Sequence, residues 1–174
     1  RGRIDGDSEE AARRRGLLAA LAERGIQHRL YGCDVSDREA LSACLAAIRT
    51  ALGPITAVVH AAGIADGGFL AIRSDSDMAA VLAAKVDGAR YLDQLTRQDP
   101  IEAFVLFGSL TGLMGAPGQV AYAAANAWTD AFAAERRAAG RPAIAIDWCR
   151  LADVGMGARS KLPESAEITI TPTE

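Results

Sequence analysis

The chain has 174 residues, 50% of them hydrophobic and 24% charged, with a formal net charge of −3. That size and composition predict a single globular domain spanning 1–174 with a sizeable buried core, and the mild acidity gives no reason to expect nucleic acid or an anionic membrane as partner. Three cysteines without CxxC spacing, two histidines and no apolar run of membrane-spanning length point away from a metal site, a disulfide framework and a membrane span, so free thiols and a cytoplasmic setting are expected.

Residues 8–24 read as an amphipathic helix, with Leu17, Leu18, Leu21 and Ala22 as its apolar stripe, Glu9, Arg13 and Arg24 on its wet side, and Gly25 as its stop. A short strand is expected over 28–33. Asp34 and Ser36 follow as turn residues, and Ser36 is placed to cap a helix over 37–51 whose apolar side includes Leu41, Leu45, Ile48 and Leu52. Gly53-Pro54 ends that helix. Residues 55–60, Ile-Thr-Ala-Val-Val-His, form an apolar strand of the kind buried on both faces in parallel sheets. A loop over 61–69 leads to a helix over 75–96 that contains Lys85. Residues 103–107 read as a second buried strand. A glycine-rich loop follows, then a helix over 119–139 that carries Tyr122 and Asn126 and ends at Gly140. Residues 143–148 are the last clear strand, and from Cys149 the pattern weakens.

Strand and helix alternate at βαβ spacing, which predicts an α/β fold with a doubly wound parallel sheet. In such sheets ligands bind beyond the carboxyl ends of the strands. Asp34, the 61–63 turn, Ser109 and residues 148–151 all fall at those ends.

Tyr122 and Asn126 are four apart on one helix and share a face. A phenol is a weak acid at neutral pH unless its phenolate is stabilised. A nearby ammonium does that, and Lys85 is the only lysine besides Lys161. Ser109, at a strand end, can give a second hydrogen bond to the same substrate oxygen. Each residue alone has a plainer reading: a helical tyrosine is usually an amphipathic edge residue and a helical lysine solvated surface. Their joint placement at one edge favours proton delivery to a carbonyl oxygen. His60-Ala61-Ala62-Gly63 reads either as a tight turn beneath a cofactor or as a packed βα turn. Asp34 could accept from an adenine amino group or simply form a helix-capping turn. Arg3 could hold a phosphate or be solvated.

These residues carry a resemblance. The chain resembles the ketoreductase domain of modular polyketide synthases, a branch of the short-chain dehydrogenase/reductase superfamily, from about residue 1 to about residue 157. The matching pieces are Cys33-Asp34-Val35-Ser36-Asp37, Val58-Val59-His60-Ala61-Ala62-Gly63, Lys85-Val86-Asp87-Gly88, Phe104-Val105-Leu106-Phe107-Gly108-Ser109, Gly118-Gln119, Tyr122-Ala123-Ala124-Ala125-Asn126-Ala127 and Gly155-Met156-Gly157. Asparagine four residues after the tyrosine, with lysine taken from the preceding helix, is the pattern of this branch.

The resemblance implies a Rossmann-like fold and NADPH-dependent reduction of a β-ketoacyl thioester borne on the phosphopantetheine arm of an acyl carrier protein, alongside other synthase domains. It implies Tyr122 as proton donor, Ser109 as its hydrogen-bonding partner, and Lys85 and Asn126 as the rest of a tetrad and proton relay. It places Asp34 and Val35 beside the adenine, Ala61, Ala62 and Gly63 beneath the cofactor, and Arg3 facing the 2′-phosphate. Three departures stand out. No glycine-rich GxGxxG-type run precedes Arg1, so the chain is expected to be a segment of a longer polypeptide, also without its final strand. Ala65-Asp66-Gly67 stands where Leu-Asp-Asp marks one stereochemical class and Met114 where tryptophan marks the other, which leans toward the L-hydroxyl product. Cys149 and Leu151 replace the usual glycine and tryptophan after Trp148. The alternatives are a fatty-acid synthase or free-standing carrier-protein reductase, and a non-catalytic reductase-like docking domain.

Overall fold

A computed structural model describes residues 9–64, 68–151 and 169–170. The first helix, α1 (Glu9–Glu23), buries Ala11 but leaves Leu17 62% exposed, so its expected apolar stripe is covered only in part. Gly25 then turns the chain at a φ of 69°, a conformation that favours glycine.

Residues 26–34 hold no strand, which corrects the expectation of one over 28–33. A strand exists only through its ladder, and no described strand lies alongside. The segment leans instead on the next helix, where the Tyr31 hydroxyl donates to the Ala47 carbonyl at 3.5 Å. That helix is α2 (Arg38–Leu52). Its cap is Asp37 rather than the expected Ser36: Asp37 Oδ1 accepts from the Glu39 and Ala40 amides, each at 3.0 Å. Ser36 is engaged elsewhere, donating to Asp34 Oδ1 from both its amide (2.9 Å) and its hydroxyl (2.6 Å).

Three strands follow: β1 (Ala57–His60), β2 (Ala103–Ser109) and β3 (Ile144–Trp148). They make one parallel sheet in the order β1-β2-β3, with His60 opposite Leu106 and Ser109 opposite Trp148. Phe104, Leu106 and Val58 join Leu41 and Leu45 of α2 in one core cluster that also takes Leu92 and Phe132 from later helices. Expected burial of β1 on both faces is not met: Val58 and His60 are buried while Val59 is 61% exposed. Its alternation is that of a strand with one covered face.

The helical stretch between β1 and β2 has the expected extent but not the expected regularity. It runs as α3 (Asp75–Leu82), a π-helical turn at Ala83–Asp87, and α4 (Gly88–Leu95). Ser74 caps it by accepting from the Asp77 amide at 3.2 Å, and Thr96 closes it with a 2.7 Å bond to the Leu92 carbonyl. Between β2 and β3 lie the short α5 (Thr111–Met114) and α6 (Val120–Ala138), after which Gly140 turns at a φ of 71°. Past β3, β4 (Arg150–Leu151) pairs in parallel with β5 (Thr169–Ile170).

Helices α4 and α6 are fastened to each other by charge. Asp93 of α4, 5% exposed, takes Arg136 of α6, Arg141 beyond it, and Arg97 at 3.0 Å. The Arg136 guanidinium lies 3.9 Å over the Phe104 ring, and burial, with Arg141 adding to it, pulls its pKa down to about 10.

Candidate active site

Three expected residues, Lys85, Tyr122 and Asn126, are brought together beside α6, and Ser109 lies at the end of β2. Lys85 sits in the π turn, 4% exposed. A π turn carries an extra residue in the helix and so re-aims the side chains around it, which is why such turns recur at functional sites. Its ammonium donates to the Phe107 carbonyl of β2 and lies 5.9 Å from the centre of the Tyr122 ring. Burial pushes Lys85 down to about 8, against the opposing pull of Asp147 and Asp130. Its backbone is anchored too, since His60 Nε2 donates to the Lys85 carbonyl at 3.1 Å. That carbonyl fixes the histidine tautomer, and burial holds the ring neutral, with its pKa pulled down to about 4.

Tyr122, half-buried, and Asn126, fully buried, stack one turn apart on α6. Asn126 Nδ2 donates back to the Tyr122 carbonyl at 2.7 Å, while its Oδ1 is buried without a hydrogen-bond partner. An orphaned amide oxygen at 0% exposure is costly unless something else supplies a donor. Ser109 ends β2, two residues beyond the carbonyl that holds the lysine, and its Oγ accepts from the Thr111 amide at 3.2 Å. The α5 turn that follows is pressed against α6. A Cβ at Gly112 would come within 2.8 Å of the Ala127 amide nitrogen and 3.0 Å of Asn126. Only glycine allows that approach, which ties the Ser109 end of β2 to the Tyr122 helix.

Five of the six expected cofactor residues are among the described residues. Ala61 is exposed, and Ala62 and Gly63 are half-buried, directly after β1. Val35 packs where Gly88 meets the His60 ring; a Cβ at Gly88 would lie 3.0 Å from Val35 Cγ2 and 2.9 Å from His60 Cε1. Asp34 Oδ1 is engaged by Ser36. Arg3, the 65–67 stereochemical marker and the Gly155-Met156-Gly157 match lie outside the described residues. Met114 is 76% exposed at the end of α5, and half-buried Cys149 follows Trp148, whose ring packs 5.4 Å from Phe107.

Three features were not anticipated from sequence: the π turn, Gly112 as a helix-packing glycine, and the acidic pair Asp130 and Asp147 whose charge reaches Lys85. A signal for one existed. A carboxylate within the apolar strand Ile144-Ala145-Ile146-Asp147-Trp148 demands a partner. No helix among the described residues is long and apolar enough to cross a membrane.

Residues 3–153 match the family model described as KR domain. The chain is 48% identical over 147 residues to polyketide synthase GfsA of Streptomyces halstedii, an alignment covering 84% of this chain and 2% of that protein. It is 42% identical over 154 residues to the pikromycin polyketide synthase component PikAIII of Streptomyces venezuelae, covering 88% and 10% respectively. Among solved structures, A-type ketoreductases from a modular polyketide synthase superpose with a TM-score of 0.77 at 40% identity, covering 87% of this chain and 32% of that one. The phoslactomycin first-module ketoreductase of Streptomyces sp. HK803 gives 0.75 at 37%, covering 83% and 33%. The chain thus spans a small share of its curated relatives and about a third of the solved ketoreductase chains.

Proposed function

The chain belongs to the KR domain family of polyketide synthases, and from that membership we propose that it reduces the β-keto group of a ketoacyl thioester, presented by an acyl carrier protein, to the β-hydroxyl with NADPH. The observation that carries this reading is the pairing of a nearly closed-off lysine with the face of a tyrosine at the carboxyl ends of the strands. A reductase that protonates a ketone oxygen needs a phenol whose conjugate base is stabilised, and an ammonium in a low-dielectric setting does that far better than one in water.

A nicotinamide cofactor supplies hydride to the carbonyl carbon when bound. The residues present fit such a group: small Ala61, Ala62 and Gly63 leave room for close backbone approach, and Asp34 and Val35 border the same edge. Tyr122 gives its phenolic proton to the oxygen as the alcohol forms. Lys85, held by the Phe107 carbonyl, stabilises the phenolate left behind. Ser109 orients the ketone with a second hydrogen bond. Asn126 fixes the Tyr122 backbone, and its unpartnered Oδ1 is placed to take a bridging water that returns the proton. The L-hydroxyl lean belongs with this reading and is checked by chiral analysis of the product.

Turnover of a short β-ketoacyl thioester, followed by NADPH consumption in the intact protein, tests it. Tyr122→Phe should lower kcat by about 10²- to 10⁴-fold, the usual span for removing a general acid. Lys85→Met should lower it comparably with little change in KM. Unchanged turnover in Tyr122→Phe sinks the reading and favours a docking role.

A further inference from the structure

We propose that His60 is a positioning residue for Lys85: from the end of β1 it holds the main chain of the π turn in the register that delivers the ammonium to Tyr122. Its meaning for catalysis rests on the reading above; the geometry stands apart from it.

Lys85 is held at both of its ends by adjacent strands. Its carbonyl accepts from His60 Nε2 at 3.1 Å, and its ammonium donates to the Phe107 carbonyl. His60 stands opposite Leu106 in the β1–β2 register, so the two anchors are near neighbours across one ladder. Between them the lysine runs buried, and Nζ comes to 5.9 Å from the centre of the Tyr122 ring. A π turn rarely forms on local preference alone. Here the Gly88 amide donates to the Ala83 carbonyl five residues back and is shared with the Lys85 carbonyl three back. A shared amide leaves the Lys85 carbonyl with accepting capacity to spare, and the imidazole N–H fills it. The ring is pinned as well as bonded. It is 3% exposed, and a Cβ at Gly88 would come within 2.9 Å of its Cε1 and 3.0 Å of Val35 Cγ2. Packing alone asks for neither a nitrogen directed at the turn nor a glycine that admits the ring. Without the His60 bond the turn loses this tie to β1, and an extra residue that shifts along the helix rotates Lys85 by about 100°.

The test reads Lys85 itself: trace acetylation of the folded, intact protein with acetic anhydride at one pH, quantified by mass spectrometry on the Lys85 peptide relative to that of Lys161, the other lysine. His60→Leu keeps apolar bulk but no donor. It should raise Lys85 labelling about five- to tenfold, the shift in a local opening equilibrium that one lost hydrogen bond gives. His60→Gln restores an N–H and should return labelling close to wild type. In turnover, His60→Leu should lower kcat by about 10- to 100-fold with KM nearly unchanged. In the Lys85→Met background it should add no further loss. Wild-type labelling in folded His60→Leu overturns the proposal, as does a loss that His60→Gln does not rescue or full additivity with Lys85→Met. Should His60→Leu not fold, Gly88→Ala decides: alanine suits the helical backbone there, at φ −55° and ψ −48°, but its Cβ displaces the ring. The same rise in Lys85 labelling is expected, and unchanged labelling overturns the proposal. Because labelling needs no turnover, an inactive wild type with a protected Lys85 would refute the functional reading alone.

Discussion

His60 shows how one buried side chain links the sheet to the site and to pH. It ends β1, 3% exposed, and spends its Nε2 proton on the Lys85 carbonyl. Its folded pKa of about 4 lies below the ordinary 6.5 because burial disfavours the charged ring. The unfolded chain therefore binds the proton first as pH falls. Between 6.5 and 4 the native state loses stability, and above 6.5 the group contributes no slope. The loss should reach about 3 kcal/mol, seen as a falling urea midpoint over that window that flattens in His60→Gln. The lysine acts at the other end of the pH scale. With Lys85 at about 8, ketone reduction should decline as the pH rises past that value, because the phenolate loses its counter-charge.

At the scale of elements, the π turn at Ala83–Asp87 matters most. Amphipathic spacing identifies the helical stretch over 75–96 but cannot reveal an extra residue in one turn, because neither face changes composition. Deleting Ala83 would let α3 and α4 close into one regular helix and swing Lys85 by about 100°, the rotation per residue of an α-helix. Circular dichroism should show helicity retained while reduction falls about 100-fold or more. Element-level expectations failed where pairing or competition decided. The 28–33 segment lacks a described ladder partner, and Ser36 lost the capping position because its hydroxyl serves Asp34. The helix over 119–139 and the strands at 55–60 and 103–107 were legible because their apolar runs lie between Gly or Pro residues, and the strand at 143–148 because Pro142 opens its run.

For the molecule as a whole, the charged cluster at Asp93 fastens α4 to α6 away from the chemistry. Asp93→Ala would leave Arg136, 3% exposed, buried without a counter-charge. That should cost about 3–5 kcal/mol of unfolding free energy. Asp93→Ala/Arg136→Met should recover most of it, since an apolar chain over Phe104 keeps the packing and removes the stranded charge. By itself the sequence determined the α/β alternation and offered Tyr122, Ser109, Lys85 and Asn126 as candidates, because periodicity and local turn chemistry are written in neighbouring residues. Only the tertiary structure decided that Lys85 is buried over the Tyr122 ring, that the charges of Asp130 and Asp147 reach it, and that Gly112 lets α5 touch α6. Those are distances between residues far apart in the chain, and they are set by how the sheet and helices close on one another.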